Sequence, residues 1–264
     1  MAFDGSGTNV DELLRARDVV VEFGGVRALQ GVNVEVHEDE TLAVIGPNGA
    51  GKTSLLNVLC GFYKPKSGSV TFKGEDITGL RDHQIARRGV GRTFQGVHLF
   101  AGMTVLDNIM VGRYNHMRSS YLQSFLYFPW AHREELEQRE VVEDIIDFLE
   151  LESVRGHVVG ELGYGVRKRV DLGRALAMEP DILLMDEPMA GMNLEEKEDL
   201  ARFIIDIREA RHIPVVIVEH DMHVVMDIAD RICVLDFGKL IGTGTPAEIQ
   251  HDDKVIEAYL GGAA

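Results

Sequence analysis

Only two cysteines occur in 264 residues, Cys60 and Cys233, both inside apolar runs and far apart in the chain. That count argues against a disulfide framework, and no C-x-x-C spacing is present to hold a structural metal. The pair reads as two buried, reduced thiols of a cytosolic protein. No stretch approaches the roughly 18 consecutive apolar residues that a membrane-spanning helix requires. The first residues, MAFDGSGTNVDELL, lack a basic segment followed by an apolar run, so they are not read as a secretory signal. They predict a flexible polar tail over 1–14. Positive charge is scarce: 27 Lys and Arg stand against 43 Asp and Glu, a formal charge of -16. Such a surface repels a polyanion, so no nucleic-acid partner is expected, although a local basic patch stays open. Internal repeats are absent, as is low-complexity sequence beyond the tail.

What remains is an ordinary globular composition, 45% hydrophobic and 27% charged, long enough for one α/β domain carrying a smaller appendage. Residues 17–23 and 31–36 predict early strands joined through Gly24 and Gly25. TLAVI (41–45), DILLMDEP (181–188) and IPVVIVEH (213–220) contain short continuous apolar runs, the pattern of strands buried on both faces. Helical patterns cover Thr53 to Cys60, 104–113, 134–151 and about Glu195 to Ala210. Residues 67–77 suggest a strand or hairpin in an antiparallel patch. Alternating strands and helices imply a mostly parallel sheet. The stretch from about 96 to 165 breaks that alternation with helices only, and predicts an inserted helical subdomain.

The strongest local signal is GPNGAGKTS, which fits G-x-x-x-x-G-K-[ST] and spans Gly46, Pro47, Asn48, Gly49, Ala50, Gly51, Lys52, Thr53 and Ser54. Glycines at three positions let the backbone curl around phosphate with its N–H groups turned inward. The helix that follows adds its positive end. Lys52 then reaches the β- and γ-phosphates, and the Thr53 hydroxyl ligates Mg²⁺. A buried strand before the loop and a helix after it supply the expected context for a nucleotide site.

Hydrolysis needs an acid near Mg²⁺ and a group that orients or activates water. Asp186 and Glu187 follow an apolar strand, and in an open parallel sheet sites gather at the carboxyl ends of strands. Asp186 is read as the Mg²⁺ acid. Glu187, pointing the other way along an extended chain, is read as the base that accepts a proton from water. His220, at the end of the 213–220 strand, is placed against the γ-phosphate. Gln95, in RTFQ, carries little signal alone and on chain pattern is a surface glutamine.

In their order these pieces resemble the nucleotide-binding domain of ABC transporters, over nearly the whole chain. The resemblance implies an α/β fold: a P-loop NTPase core of ABC type (15–95 and 166–264) with an antiparallel β subdomain and a helical subdomain at about 96–165. The family's Walker A matches Gly46–Ser54 and its Walker B matches Ile182–Glu187. The Q-loop matches Gln95, placing that residue near nucleotide and Mg²⁺; the switch histidine matches His220. Phe23 matches the aromatic that stacks on adenine. The LSGGQ signature falls on Leu162–Val166, here LGYGV, and the D-loop on Ala190–Asn193. Two such domains pair head to tail in this family, so Gly163, Tyr164 and Gly165 would present backbone N–H groups to an ATP held by a second ATP-binding subunit, identical or not. The helical subdomain would dock on transmembrane permease subunits at the cytoplasmic face, with a solute-binding protein acting indirectly. Gly163 stands where the signature serine donates a hydroxyl, Val166 replaces its glutamine, and Asn193 stands in place of the commoner aspartate.

Within the family the chain is most similar to ATP-binding subunits of branched-chain amino-acid importers, on GFYKPKSG, IARRGVGRTFQ, LFAGMTVLDNI, AGMN and KVIEAYLGG. Related ATPases serve urea, amide and lipid systems, and soluble ABC ATPases and non-hydrolysing nucleotide sensors are the other classes. Soluble members tend to carry tandem cassettes, coiled coils or basic surfaces, none of which appears here. Intact Lys52, Asp186, Glu187 and His220 argue against a sensor. The aromatic stretch 121–130 reads first as packing and second as a partner groove. Arg167, Lys168 and Arg169 read as a solvated helix face, Met178, Met185, Met189 and Met192 as gap-filling core, and Glu195, Glu196 and Glu198 as an acidic first turn.

Overall fold

A computed structural model describes residues 12–116 and 129–261. Three strands are buried at every position: β3 (Thr41–Ile45), β7 (Ile182–Asp186) and β8 (Val215–Val218). Their continuous apolar runs suit the middle of a parallel sheet covered on both sides. With β6 (Val90–Thr93), β9 (Arg231–Asp236) and β10 (Lys239–Gly244) they form a six-stranded sheet in the order β10-β9-β3-β8-β7-β6. All pairs are parallel except β9 with β10. Val44 and Asp186 both register with Val218, so β3, β7 and β8 end level with one another. That shared rim receives the loop after Ile45 and the acids after Met185.

Alternate residues of these strands feed two cores. Ala43, Ile45, Leu183, Met185 and Ile217 face a cluster with α3 (Val105–Met110), α4 (Pro129–Phe148), α5 (Tyr164–Leu176) and α6 (Leu194–Arg211). Leu42, Val44, Ile182, Leu184 and Val216 face the other side. There they meet α1 (Lys52–Leu59) and an antiparallel sheet of β1 (Glu12–Phe23), β2 (Val26–His37), β4 (Ser67–Phe72) and β5 (Glu75–Asp76). A five-residue helix α2 (Asp82–Ala86) leads into β6, and α7 (Met222–Ile228) links β8 to β9. The chain closes with α8 (Pro246–Gln250) and α9 (Asp253–Gly261). No helix among the described residues is long and apolar enough to cross a membrane.

Four expectations change. The tail expected over 1–14 stops before Glu12, because Leu13 and Leu14 are buried and Leu14 pairs with Val36 on one side and Phe72 on the other; residues 1–11 lie outside those described. The helix expected over 134–151 runs over Pro129–Phe148 and ends before Glu150, whose φ of 55° cannot continue it. The boundary expected at 165 falls inside the first turn of α5, a helix that packs on α3 and α4 at one side and on β6 at the other. The basic run 167–169 is not a solvated face: Lys168 is buried and Arg169 donates to the carbonyl of Leu149. The aromatic stretch 121–130 lies outside the described residues except for the backbone of its last two. Met185, Met189 and Met192 are buried core, as expected.

Candidate nucleotide site

The turn from Gly46 to Gly51 leaves β3 in the middle of the sheet. Two glycines fix its shape. Gly46 has φ 146°, and a Cβ there would run into the carbonyl oxygen of Leu235 in β9. Gly51 has φ 102° and would bring a Cβ to 2.5 Å from the Ala28 carbonyl. Any side chain at either position must move backbone. Gly46→Ala is therefore expected to cost more than about 3 kcal/mol, read as a fall in melting temperature of the purified chain.

Lys52 opens α1 and turns its ammonium back into the loop, where Nζ donates to the carbonyls of Gly46 at 2.7 Å and Pro47 at 3.0 Å. Burial pushes its pKa below the ordinary lysine value, and the carboxylates of Glu187 and Asp186 oppose that shift. The loop is thus already wrapped around a cation that a triphosphate can recruit. Thr53, exposed one residue on, donates from Oγ1 to Asp186 Oδ1 at 3.3 Å.

Asp186 is 2% exposed. Burial raises its pKa, offset by Arg92, Thr53 and their hydrogen bonds, while Glu187 pushes it up further. Arg92 stands on β6 with Nη2 3.3 Å from Asp186 Oδ2. Its Nη1 donates to Asn57 Oδ1 at 2.6 Å and Cys60 Sγ at 2.8 Å, both on or next to α1. The guanidinium lies beside the Phe62–Phe94 ring pair, 6.0 and 4.9 Å from their centres. Breaking a buried pair of this kind leaves an uncompensated charge. Sequence reasoning passed over Arg92: β6 is a four-residue edge strand, and nothing in the residue pattern pairs it with β7 and so with Asp186.

Glu187 corrects an expectation. It lies beyond the end of β7 with φ 46°, not in an extended chain, so the alternation of strand side chains does not aim it. Its N–H donates to the Val218 carbonyl of β8 at 2.9 Å, which anchors the left-handed residue at the rim. That conformation costs on the order of 1 kcal/mol for a non-glycine. The carboxylate accepts a hydrogen bond from Gln95 Nε2 at 2.8 Å. Gln95 is exposed, as its pattern suggested, but it is engaged with the acid. Its own carbonyl accepts from Lys168 Nζ at 2.8 Å. Burial lowers the Lys168 pKa, against the carboxylates of Asp171, Glu219, Glu187 and Asp186.

The remaining predicted residues are dispersed. His220 is on the same rim but exposed, with Nδ1 3.8 Å from Glu219 Oε2. Buried Glu219 also accepts from the Met189 amide at 2.9 Å and so ties the turn after Glu187 to β8. Phe23 is 48% exposed and meets Tyr63 edge-on at 4.9 Å. The turn 162–166 starts α5, with exposed Gly163 as N-cap and no side-chain cap. Among the described residues no hydrogen bond joins that turn to the 46–53 loop. The Gly165 amide, expected to face phosphate, is held by Glu196 Oε1 at 3.2 Å. Tyr164 is a further departure from LSGGQ, standing where a glycine belongs. Asn193 accepts from the Glu196 amide and, with Glu196, forms a capping box on α6.

Mg²⁺ fits this chemistry. A buried carboxylate and an exposed hydroxyl within 3.3 Å are hard oxygen donors. No group of three or more His, Cys, Asp or Glu among the described residues is placed to hold a metal by itself. Mg²⁺ in such a site relies on phosphate and water for its other ligands.

Against known proteins, a family model described as ABC transporter matches residues 29–190. One described as branched-chain amino acid ATP-binding cassette transporter matches 239–264. The high-affinity branched-chain amino acid transport ATP-binding protein BraF of Pseudomonas aeruginosa is 39% identical over 251 residues, covering 95% of this chain and 98% of that protein. The crystal structure of the ADP conformation of MJ1267, an ATP-binding cassette of an ABC transporter, superposes with a TM-score of 0.83 at 35% identity, covering 95% of this chain and 99% of that one. The dimeric post-hydrolysis state of the cassette MJ0796, bound to ADP and Pi, gives 0.74 at 25% identity, covering 89% and 99%.

Proposed function

The chain belongs to the ABC transporter family of ATP-binding cassettes and is an ATPase, and we propose that it powers uptake of branched-chain or other hydrophobic amino acids through partner membrane subunits. The observation that carries the reading is the convergence, on one sheet rim, of the Lys52 loop, the Thr53–Asp186 pair and the Gln95–Glu187 pair. Similarity to BraF across nearly the whole chain, together with the match of the C-terminal segment, supports the amino-acid substrate. In this reading the backbone amides of 46–53 hold the triphosphate, Phe23 stacks on the base, and Thr53, Asp186 and Gln95 hold Mg²⁺, which supplies charge neutralisation for phosphoryl transfer. Glu187 takes the proton of the attacking water and His220 contacts the γ-phosphate. A second ATP-binding subunit closes the site with its own 163–165 turn. The helical stretch at about 96–165 forms a subdomain that docks on permease subunits at the cytoplasmic face, and a solute-binding protein delivers cargo from the other side. Co-purification with two hydrophobic subunits, and ATPase stimulation by leucine-loaded binding protein in liposomes, is the expected result. Stimulation by urea or a lipid in place of leucine would overturn the substrate assignment.

The signature turn gives a further prediction. Nothing lies within 4 Å of a Cβ built at Gly163, so a serine fits without strain. A hydroxyl donated to a charged phosphate contributes roughly 1.5–3 kcal/mol. Gly163→Ser is therefore expected to strengthen ATP-driven dimerisation about tenfold or more, read by sedimentation in a Glu187→Gln background; an unchanged dimer midpoint would show that backbone donors already suffice.

A further inference from the structure

We propose that Lys168 is a positioning residue for the hydrolytic step: its ammonium fastens the main chain of Gln95 to the helix that begins at the signature turn, and so holds the Gln95 carboxamide against Glu187. The inference rests on the reading of Glu187 as the base. Lys168 lies one turn into α5, on the same face as Gly165. It is 4% exposed, an uncommon place for a lysine. Burying an ammonium is costly unless its donors are used. Here Nζ donates to the Gln95 carbonyl at 2.8 Å and stands 5.7 Å from the centre of the Tyr164 ring. From the same residue, Gln95 Nε2 donates to Glu187 Oε2 at 2.8 Å. Gln95 has already left β6, which ends at Thr93, and its side chain is exposed. Ladder hydrogen bonds therefore do not fix it, and the Lys168 contact supplies an anchor from a rigid element. The result is a continuous path of two hydrogen bonds from the signature helix to the carboxylate at the rim. A shift at the 163–165 turn reaches Glu187 through it.

Lys168→Met keeps the length and apolar stem of the side chain and removes the donor. In the purified full-length chain it is expected to lower kcat about tenfold, the scale of loss that follows a small misplacement of a catalytic group, with the half-saturating ATP concentration changed less than about twofold. Amide hydrogen exchange at 94–97 should quicken, because the loop loses its anchor. In a Gln95→Ala background Lys168→Met should add no further loss, since both act through one contact. An unchanged rate, a full extra loss on top of Gln95→Ala, or a loss with exchange at 94–97 unaltered would each overturn the proposal. If Lys168→Met does not fold, Lys168→Arg and Lys168→Gln carry the test: arginine retains the rate and glutamine loses it, and equal rates would overturn the idea. Turnover by the unaltered chain, lost in Glu187→Gln, checks the underlying reading separately and stands even if Lys168 proves inert.

Discussion

Glu187→Gln is expected to lower the steady-state rate of ATP hydrolysis by at least about two orders of magnitude while ATP still binds, the usual scale of a lost general base. The substitution keeps the shape of the side chain and removes its capacity to take a proton. The Glu187 carboxylate supports the charge on Lys52 but makes none of the contacts that shape the nucleotide loop, which is set by Gly46, Gly51 and the Lys52 hydrogen bonds. The Glu187 backbone is held independently by its N–H to Val218. Gln95 can still donate to the carboxamide oxygen, so the local arrangement survives. The protein should therefore stop after binding and accumulate an ATP-bound dimer. Phosphate release and equilibrium binding of a fluorescent ATP, run side by side, separate the two effects. A variant that retains a third of the rate would remove Glu187 from the role of base.

Lys52→Ala should act on the other half of the cycle, weakening ATP binding about a hundredfold, or roughly 3 kcal/mol, the value of charge-assisted donors to phosphate. The ammonium satisfies two loop carbonyls and is buried to 7% exposure. It is the cation that sits inside the turn, so its removal takes away the charge that the loop is built around. The half-buried Pro47 carbonyl can turn to water, but Gly46 is buried and its carbonyl loses its donor, at about 1–3 kcal/mol, so a modest fall in melting temperature should accompany the loss of affinity. Lys52→Arg should not rescue, because a planar guanidinium cannot occupy the space of a compact ammonium inside so tight a turn. Titration calorimetry with ATP is the direct measurement, and an affinity within threefold of the unaltered chain would contradict the role given to Lys52.

Elements whose sequence records a strictly local pressure were legible. TLAVI, ILLMD and VVIV are apolar at nearly every position because the middle of a parallel sheet is covered on both faces. The 46–53 loop was legible because only its residue types permit a backbone nest followed by a helix. Features set by distant partners were not. Leu13 and Leu14 look like two stray apolar residues in a polar tail until β2 and β4 flank them. Strand β6 offers four residues, one a glycine and one an arginine, and its place beside β7 gives Arg92 its partner in Asp186. Lys168 looks solvated in a run of three basic residues, and only the fold closes the Gln95 carbonyl over it. The edge that carries Glu187 is legible in the apolar run before it, but its local geometry is not, because a left-handed non-glycine residue leaves no mark in residue pattern.

A crystal structure of Glu187→Gln with Mg-ATP tests the account most directly. It should show the triphosphate lying on the amides of residues 46–53, with Lys52 Nζ transferred from the Gly46 and Pro47 carbonyls to phosphate oxygens and the side chain at 187 turned toward the terminal phosphate. A triphosphate seated elsewhere, or a residue 187 turned away from it, would contradict the reading of this rim as the place where ATP is cleaved.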